Sequence, residues 1–194
     1  MTLGQPTAPG LPGTAMACSG GVIVPRVPAV IGPLSLEAWF NPPNNPSTYG
    51  GIAGYRFGRG ANPSASTWGE FYLLQLANTN TLECRFQNSS GTDYSFESVP
   101  VTPATWHHAV LTYDGATLLS LYLDGLLYGT LSASGTLGDI GSNAFGIGAN
   151  YNSVQGIFNP FGGNIAHVAL YPALLTPVQV QRHFFARPRS LLVA

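Results

Sequence analysis

The chain has 194 residues, a formal net charge of −1, only 8% charged residues and no lysine. That length suits one sandwich-sized domain whose core needs no disulfide staples. The charge excludes a field that would draw in nucleic acid or an anionic membrane, and the 45% hydrophobic share excludes a disordered chain.

Residues 1–20 are rich in Pro, Gly, Ala and Thr and show no periodicity, so they read as an extended N-terminal arm. They carry no positive charge and no apolar run, so no secretory signal is expected. No run approaches the ~18 apolar residues of a membrane span. Cys18 and Cys84 read as two thiols in a chain without that signal, although one disulfide would be open to them in an oxidising compartment.

Strand signals follow in order. Gly21–Pro25 is a short apolar run. Leu34, Leu36, Ala38 and Phe40 alternate onto one face. Asn41–Ser47 is a turn cluster. Phe71–Leu76 is apolar on both faces, as a covered strand would be. Leu82–Gln87 alternates, with Cys84 inward and Arg85 outward. Trp106–Tyr113 runs into a turn at Asp114-Gly115, and the strand bearing Leu119, Leu121 and Leu123 runs into another at Asp124-Gly125. Phe145–Gly148 and Ile165–Tyr171 are later strands. Thr176-Pro177-Val178-Gln179 predicts a capped helix start, with Pro at the first helical position and an end near Phe185. The tail 187–194 lies outside the pattern. About ten strands with short turns imply an all-β, two-sheet antiparallel sandwich.

Four segments resemble, in order, the laminin-G-like, concanavalin A-like jelly-roll family. They are Leu36-Glu37-Ala38-Trp39-Phe40, Thr105 to Gly115 (TWHHAVLTYDG), Leu121-Tyr122-Leu123-Asp124-Gly125, and Phe161 to Tyr171 with Leu174-Leu175-Thr176. The likeness spans roughly residues 20–186. It implies a jelly-roll domain over 21–186 with one short C-terminal helix, and function on one sheet face or its rim loops. Ala166-His167 stand where the family has an acidic pair.

Neighbouring strand residues point to opposite faces, so His107-His108 read as structural and not as one metal site. The eight acids show no E-x-D-x-x-E cluster of the glycosidase kind, and Asp114 and Asp124 have turn duties. No cofactor is expected. Calcium is common in the family, and Asp93, Asp139, Asn143 and Asn150 are loop oxygens that could contribute to a site. Sugar stacking needs exposed aromatics beside amide donors. Tyr55, Trp68, Tyr94 and Tyr151, with Asn150, are the candidate glycan or partner contacts; Tyr49 and Phe158 lie in comparable loops.

The leading expectation is a non-catalytic structural module of a large assembly, such as a virion or phage decoration protein. Its arms at 1–20 and 187–194 would contact other protein subunits. The alternative is a carbohydrate-binding lectin-like domain, and a glycosidase comes third.

Overall fold

In the computed structural model, the structure describes residues 2–5, 15–18, 21–24, 32–56, 69–137, 144–152 and 156–186. In chain order the elements are β1 (Thr2–Gln5), β2 (Ala15–Ala17), β3 (Val22–Val24), β4 (Leu34–Asn41), β5 (Gly50–Tyr55), β6 (Glu70–Gln75), β7 (Thr81–Gln87), β8 (Asp93–Pro100), β9 (His107–Tyr113), β10 (Leu118–Leu123), β11 (Leu126–Ser132), β12 (Phe145–Ile147), β13 (Asn150–Asn152), β14 (Gly156–Phe158), β15 (Asn164–Tyr171) and the helix α1 (Pro177–Phe185). One sheet has the order β1-β2-β15-β4-β9-β10-β11, the other β3-β12-β5-β6-β7-β8, and β13-β14 form a small hairpin. All these pairings are antiparallel. The fold is the expected all-β sandwich with one short C-terminal helix.

The alternation in the sequence places the core. Leu34, Leu36, Ala38 and Phe40 of β4 face Phe71, Leu73, Cys84 and Phe86 of the other sheet in one buried cluster. Phe86 stacks on Tyr113 across the sandwich at 4.2 Å between ring centroids. Such a pair adds about 0.5–1.5 kcal/mol beyond its buried area. Cys18 and Cys84 are both buried and unpaired. Burial pushes the Cys18 thiol up to about 11, so it is held as the unreactive thiol.

The turns form as their residues require. Asp124 and Gly125 both take positive φ between β10 and β11. At the other turn, Asp114 Oδ1 accepts from the backbone N–H groups of Ala116, Thr117 and Leu118, and Gly115 takes φ +83°.

The helix follows its cap. The Thr176 hydroxyl accepts from Gln179 N–H at 3.3 Å, and Gln179 Oε1 accepts from Thr176 N–H at 2.9 Å. Val180 then packs with Val110, Tyr122 and Leu175 on the outer face of the seven-stranded sheet. Phe184 stacks on Trp39 at 5.6 Å with an interplanar angle of 4°. The helix therefore covers the apolar outward residues of β4, β9 and β10.

The 1–20 segment, read from its composition as an extended arm, contributes two strands. Within it, β1 pairs with β2, and β2 pairs with β15, so part of the arm extends the chain's own sheet. Backbone hydrogen bonds at an edge need no side-chain alternation, so the sequence pattern did not announce them. The tail 187–194 lies outside the described residues. No helix among the described residues is long and apolar enough to cross a membrane.

Candidate functional site: a ring-lined cleft on the six-stranded sheet

The outer face of the six-stranded sheet carries a cleft of about 610 Å³. Its construction starts with glycine. A Cβ on Gly51 of β5 would stand 2.6 Å from Asn150 Oδ1 and 2.7 Å from Asn150 N. Glycine at that position therefore lets the β13-β14 hairpin lie close against β5. Gly51 N–H donates to Asn159 O at 2.9 Å, which fixes the residue after Phe158. Tyr55 turns inward and packs edge-on against Phe145 at 5.1 Å.

The next residue, Arg56, lies among three rings. Its guanidinium carbon is 5.7 Å from the Tyr49 ring centre, 5.4 Å from Tyr72 and 6.0 Å from Phe158. Cation–π attraction of about 0.5–2 kcal/mol holds such a group without consuming its N–H donors. Among the described residues Arg56 makes no hydrogen bond or ion pair. Tyr49, 45% exposed, forms an accessible wall of the cleft.

The floor is a polar network centred on Arg85. The Tyr72 hydroxyl donates to Glu83 Oε1 at 3.0 Å. Arg85 pairs with Glu83, with Asp93 at 3.2 Å and with Glu70 at 3.8 Å. Gln87 Nε2 donates to Asp93 at 2.7 Å. Burial works against the Arg85 charge, yet Tyr72, Glu83, Asp93 and Glu70 together hold it above the ordinary arginine range. Burial, then the Glu70 and Glu83 charges, push the Tyr72 hydroxyl up, so it stays a donor. Glu97 of β8 completes the lining as an exposed carboxylate. Rings, a guanidinium fork and an open carboxylate together can stack on a sugar face and hydrogen-bond its hydroxyls.

The sequence candidates fall elsewhere. Tyr55 is 1% exposed in the core, which corrects its assignment as a contact residue; a ring between glycine-rich neighbours read as a loop is a strand residue. Trp68 lies outside the described residues. Tyr94 stacks on Phe86, and its hydroxyl pairs with Ser134 Oγ at 2.8 Å, away from the cleft. Asn150 is 4% exposed within the hairpin, and Tyr151, half-buried, pairs across it with Ile157; neither lines the cleft. Arg56 and Glu97 were not singled out by sequence. Of the calcium candidates, Asp93 is taken by Arg85 and Gln87, while Asp139 and Asn143 lie outside the described residues. No group of three or more His, Cys, Asp or Glu among the described residues is placed to hold a metal.

A second polar centre lies beneath α1. Glu37 of β4 is 5% exposed and receives His108 Nε2 at 2.7 Å, the Tyr171 hydroxyl at 2.8 Å and His183 Nδ1 at 3.0 Å. His107 goes instead to Asp124 Oδ2 at 2.8 Å, which bears out the opposite facing of the two histidines. Where the family has an acidic pair, Ala166 packs on Trp39 and Ala15, and His167 takes φ +50° in a β-bulge. An apolar residue suits the first position, because a carboxylate there would be buried against Trp39.

Comparison with known proteins agrees with this architecture. The binding domain of Paraclostridial Mosquitocidal Protein 1 is similar at TM-score 0.65 and 9% identity, over 92% of this chain and 45% of that one. The chain thus spans less than half the length of that binding domain. The CBM40 of a Ruminococcus gnavus IT-sialidase, solved with α2,3 sialyllactose, has TM-score 0.61 and 14% identity, over 86% of this chain and 97% of that one. Domain 4 of AbnA, an extracellular arabinanase from Geobacillus stearothermophilus solved with arabinotriose, has TM-score 0.59 and 20% identity, over 93% and 80%. No curated protein matches the chain. The family model of the concanavalin A-like lectin/glucanases superfamily matches residues 17–181. With that match covering most of its length, the chain belongs to the concanavalin A-like lectin/glucanase superfamily.

Proposed function

We propose that the chain is a carbohydrate-binding domain whose sugar lies in the cleft between Tyr49, Arg56, Phe158 and Glu97. The observation that carries this is Arg56, held by three rings and without a hydrogen bond or ion pair among the described residues. Similar domains solved with arabinotriose and α2,3 sialyllactose support the reading. Hydrolysis is disfavoured on geometry. Glu70 and Glu83 line the cleft but are buried at 3% and 6% exposure around Arg85, so they do not flank a bond across open space as a glycosidase pair must.

Arg56→Ala and Phe158→Ala should each weaken sugar binding by about tenfold or more, the loss expected for a central contact. Isothermal titration against oligosaccharide hits from a glycan array measures this. Unchanged affinity in both variants would remove the cleft as the site.

A second reading, a non-catalytic subunit of a larger assembly, is favoured by one observation. Leu126, Leu127 and Tyr128, at 67%, 56% and 46% exposure, lie on β11, the last strand of the seven-stranded sheet among the described residues.

A further inference from the structure

Resting on the sugar-binding reading above, we propose that the cleft selects neutral glycans over carboxylate-bearing ones. The lining has two guanidiniums with different duties. Arg85 is enclosed by Glu83, Asp93 and Glu70. Arg56 faces rings and makes no hydrogen bond or ion pair among the described residues. The exposed carboxylate is Glu97, which accepts one hydrogen bond from Ser95 Oγ at 3.1 Å and has further lone pairs to offer.

A ligand in this cleft therefore meets a donor fork and an acceptor together. A sugar hydroxyl is donor and acceptor at once and can satisfy either. A sugar carboxylate only accepts. It gains from Arg56 but must lie near Glu97 in a half-enclosed space, where like charges interact more strongly than in water. Among the described lining residues, Glu70, Glu83 and Glu97 outnumber Arg56 and Arg85. The chain offers no compensating long-range field, since its net charge is −1 and it has no lysine. Arg56 is also partly satisfied by the ring faces, which weakens its demand for an anion.

The test is titration of matched pairs at low salt: lactose against α2,3 sialyllactose, and xylotetraose against its glucuronic acid-substituted form. In each pair that binds, the neutral sugar should bind at least about fivefold tighter, and the gap should narrow with added salt. Glu97→Gln should narrow it in the same way. Equal or tighter binding of the acidic member, lost in Arg56→Ala, overturns the selectivity while leaving the sugar-binding cleft in place. Binding of neither member of any pair, by protein shown folded by circular dichroism, overturns both.

Discussion

Glu37→Ala is expected to lower folding stability by about 3–5 kcal/mol, the cost of removing one partner from a buried charged network. The carboxylate sits under α1 and joins four elements. His108 reaches it from β9, Tyr171 from β15 and His183 from the helix. Without it, His108, fully buried between Trp39 and Phe184, loses its hydrogen-bond partner. In a domain of this size the loss corresponds to a fall in melting temperature of roughly 10 °C. Glu37→Gln keeps one acceptor and should lose less.

The pH dependence has a definite sign. Burial pushes the Glu37 carboxyl up, but hydrogen bonds from His108 and Tyr171, the His108 charge and the His183 hydrogen bond bring it below 4.5. A lowered folded-state value means that this contribution is whole above pH 4.5 and is lost as pH falls through the lower value. Thermal melts across the acid range should show Glu37→Gln with a shallower acid limb than the parent. Parallel limbs, or an alanine variant melting within about 2 °C of the parent, would show that the network does not anchor the helix.

Gly54→Ala is expected to be comparably damaging, at about 3–5 kcal/mol from backbone strain and overpacking together. Gly54 has φ +132°, and a Cβ there would stand 2.3 Å from Phe71 O and 2.5 Å from Tyr72 Cα. The obstruction is backbone of the neighbouring strand, so no rotamer change relieves it. The strain also falls two residues before Arg56 and against Tyr72, so residual folded protein should bind sugar poorly. Gly32→Ala is the control, because Gly32 has φ +104° but, among the described residues, nothing within 4 Å of a Cβ. Denaturant unfolding should show a loss for Gly32→Ala that is clearly the smaller of the two. Equal losses would mean that strain alone, and not the close strand approach, requires glycine at position 54.

How much of this was readable depended on distance along the chain. The strands carrying Leu34–Phe40 and Leu82–Gln87 were legible because alternation is local, and the structure puts Leu34, Leu36 and Cys84 inside as that pattern requires. The helix was legible because its cap lies within four residues, Thr176 to Gln179. The strand β5 was not, because Gly50, Gly51 and Gly54 lower its β propensity. That omission misplaced Tyr55. The cleft was unreadable for the same physical reason and one more. Tyr49, Arg56, Tyr72, Glu97 and Phe158 meet only through sheet pairing and a hairpin folded over β5. Burial of Glu37 likewise shows only once α1 is laid on the sheet.

The structure of the protein with a bound oligosaccharide identified by array tests whether a sugar lies in this cleft. Sugar density is expected over the Tyr49 and Phe158 rings, with hydroxyls in reach of Arg56 and Glu97. Density on the rim loops, or against the β11 edge with the Arg56 cleft empty, would contradict it.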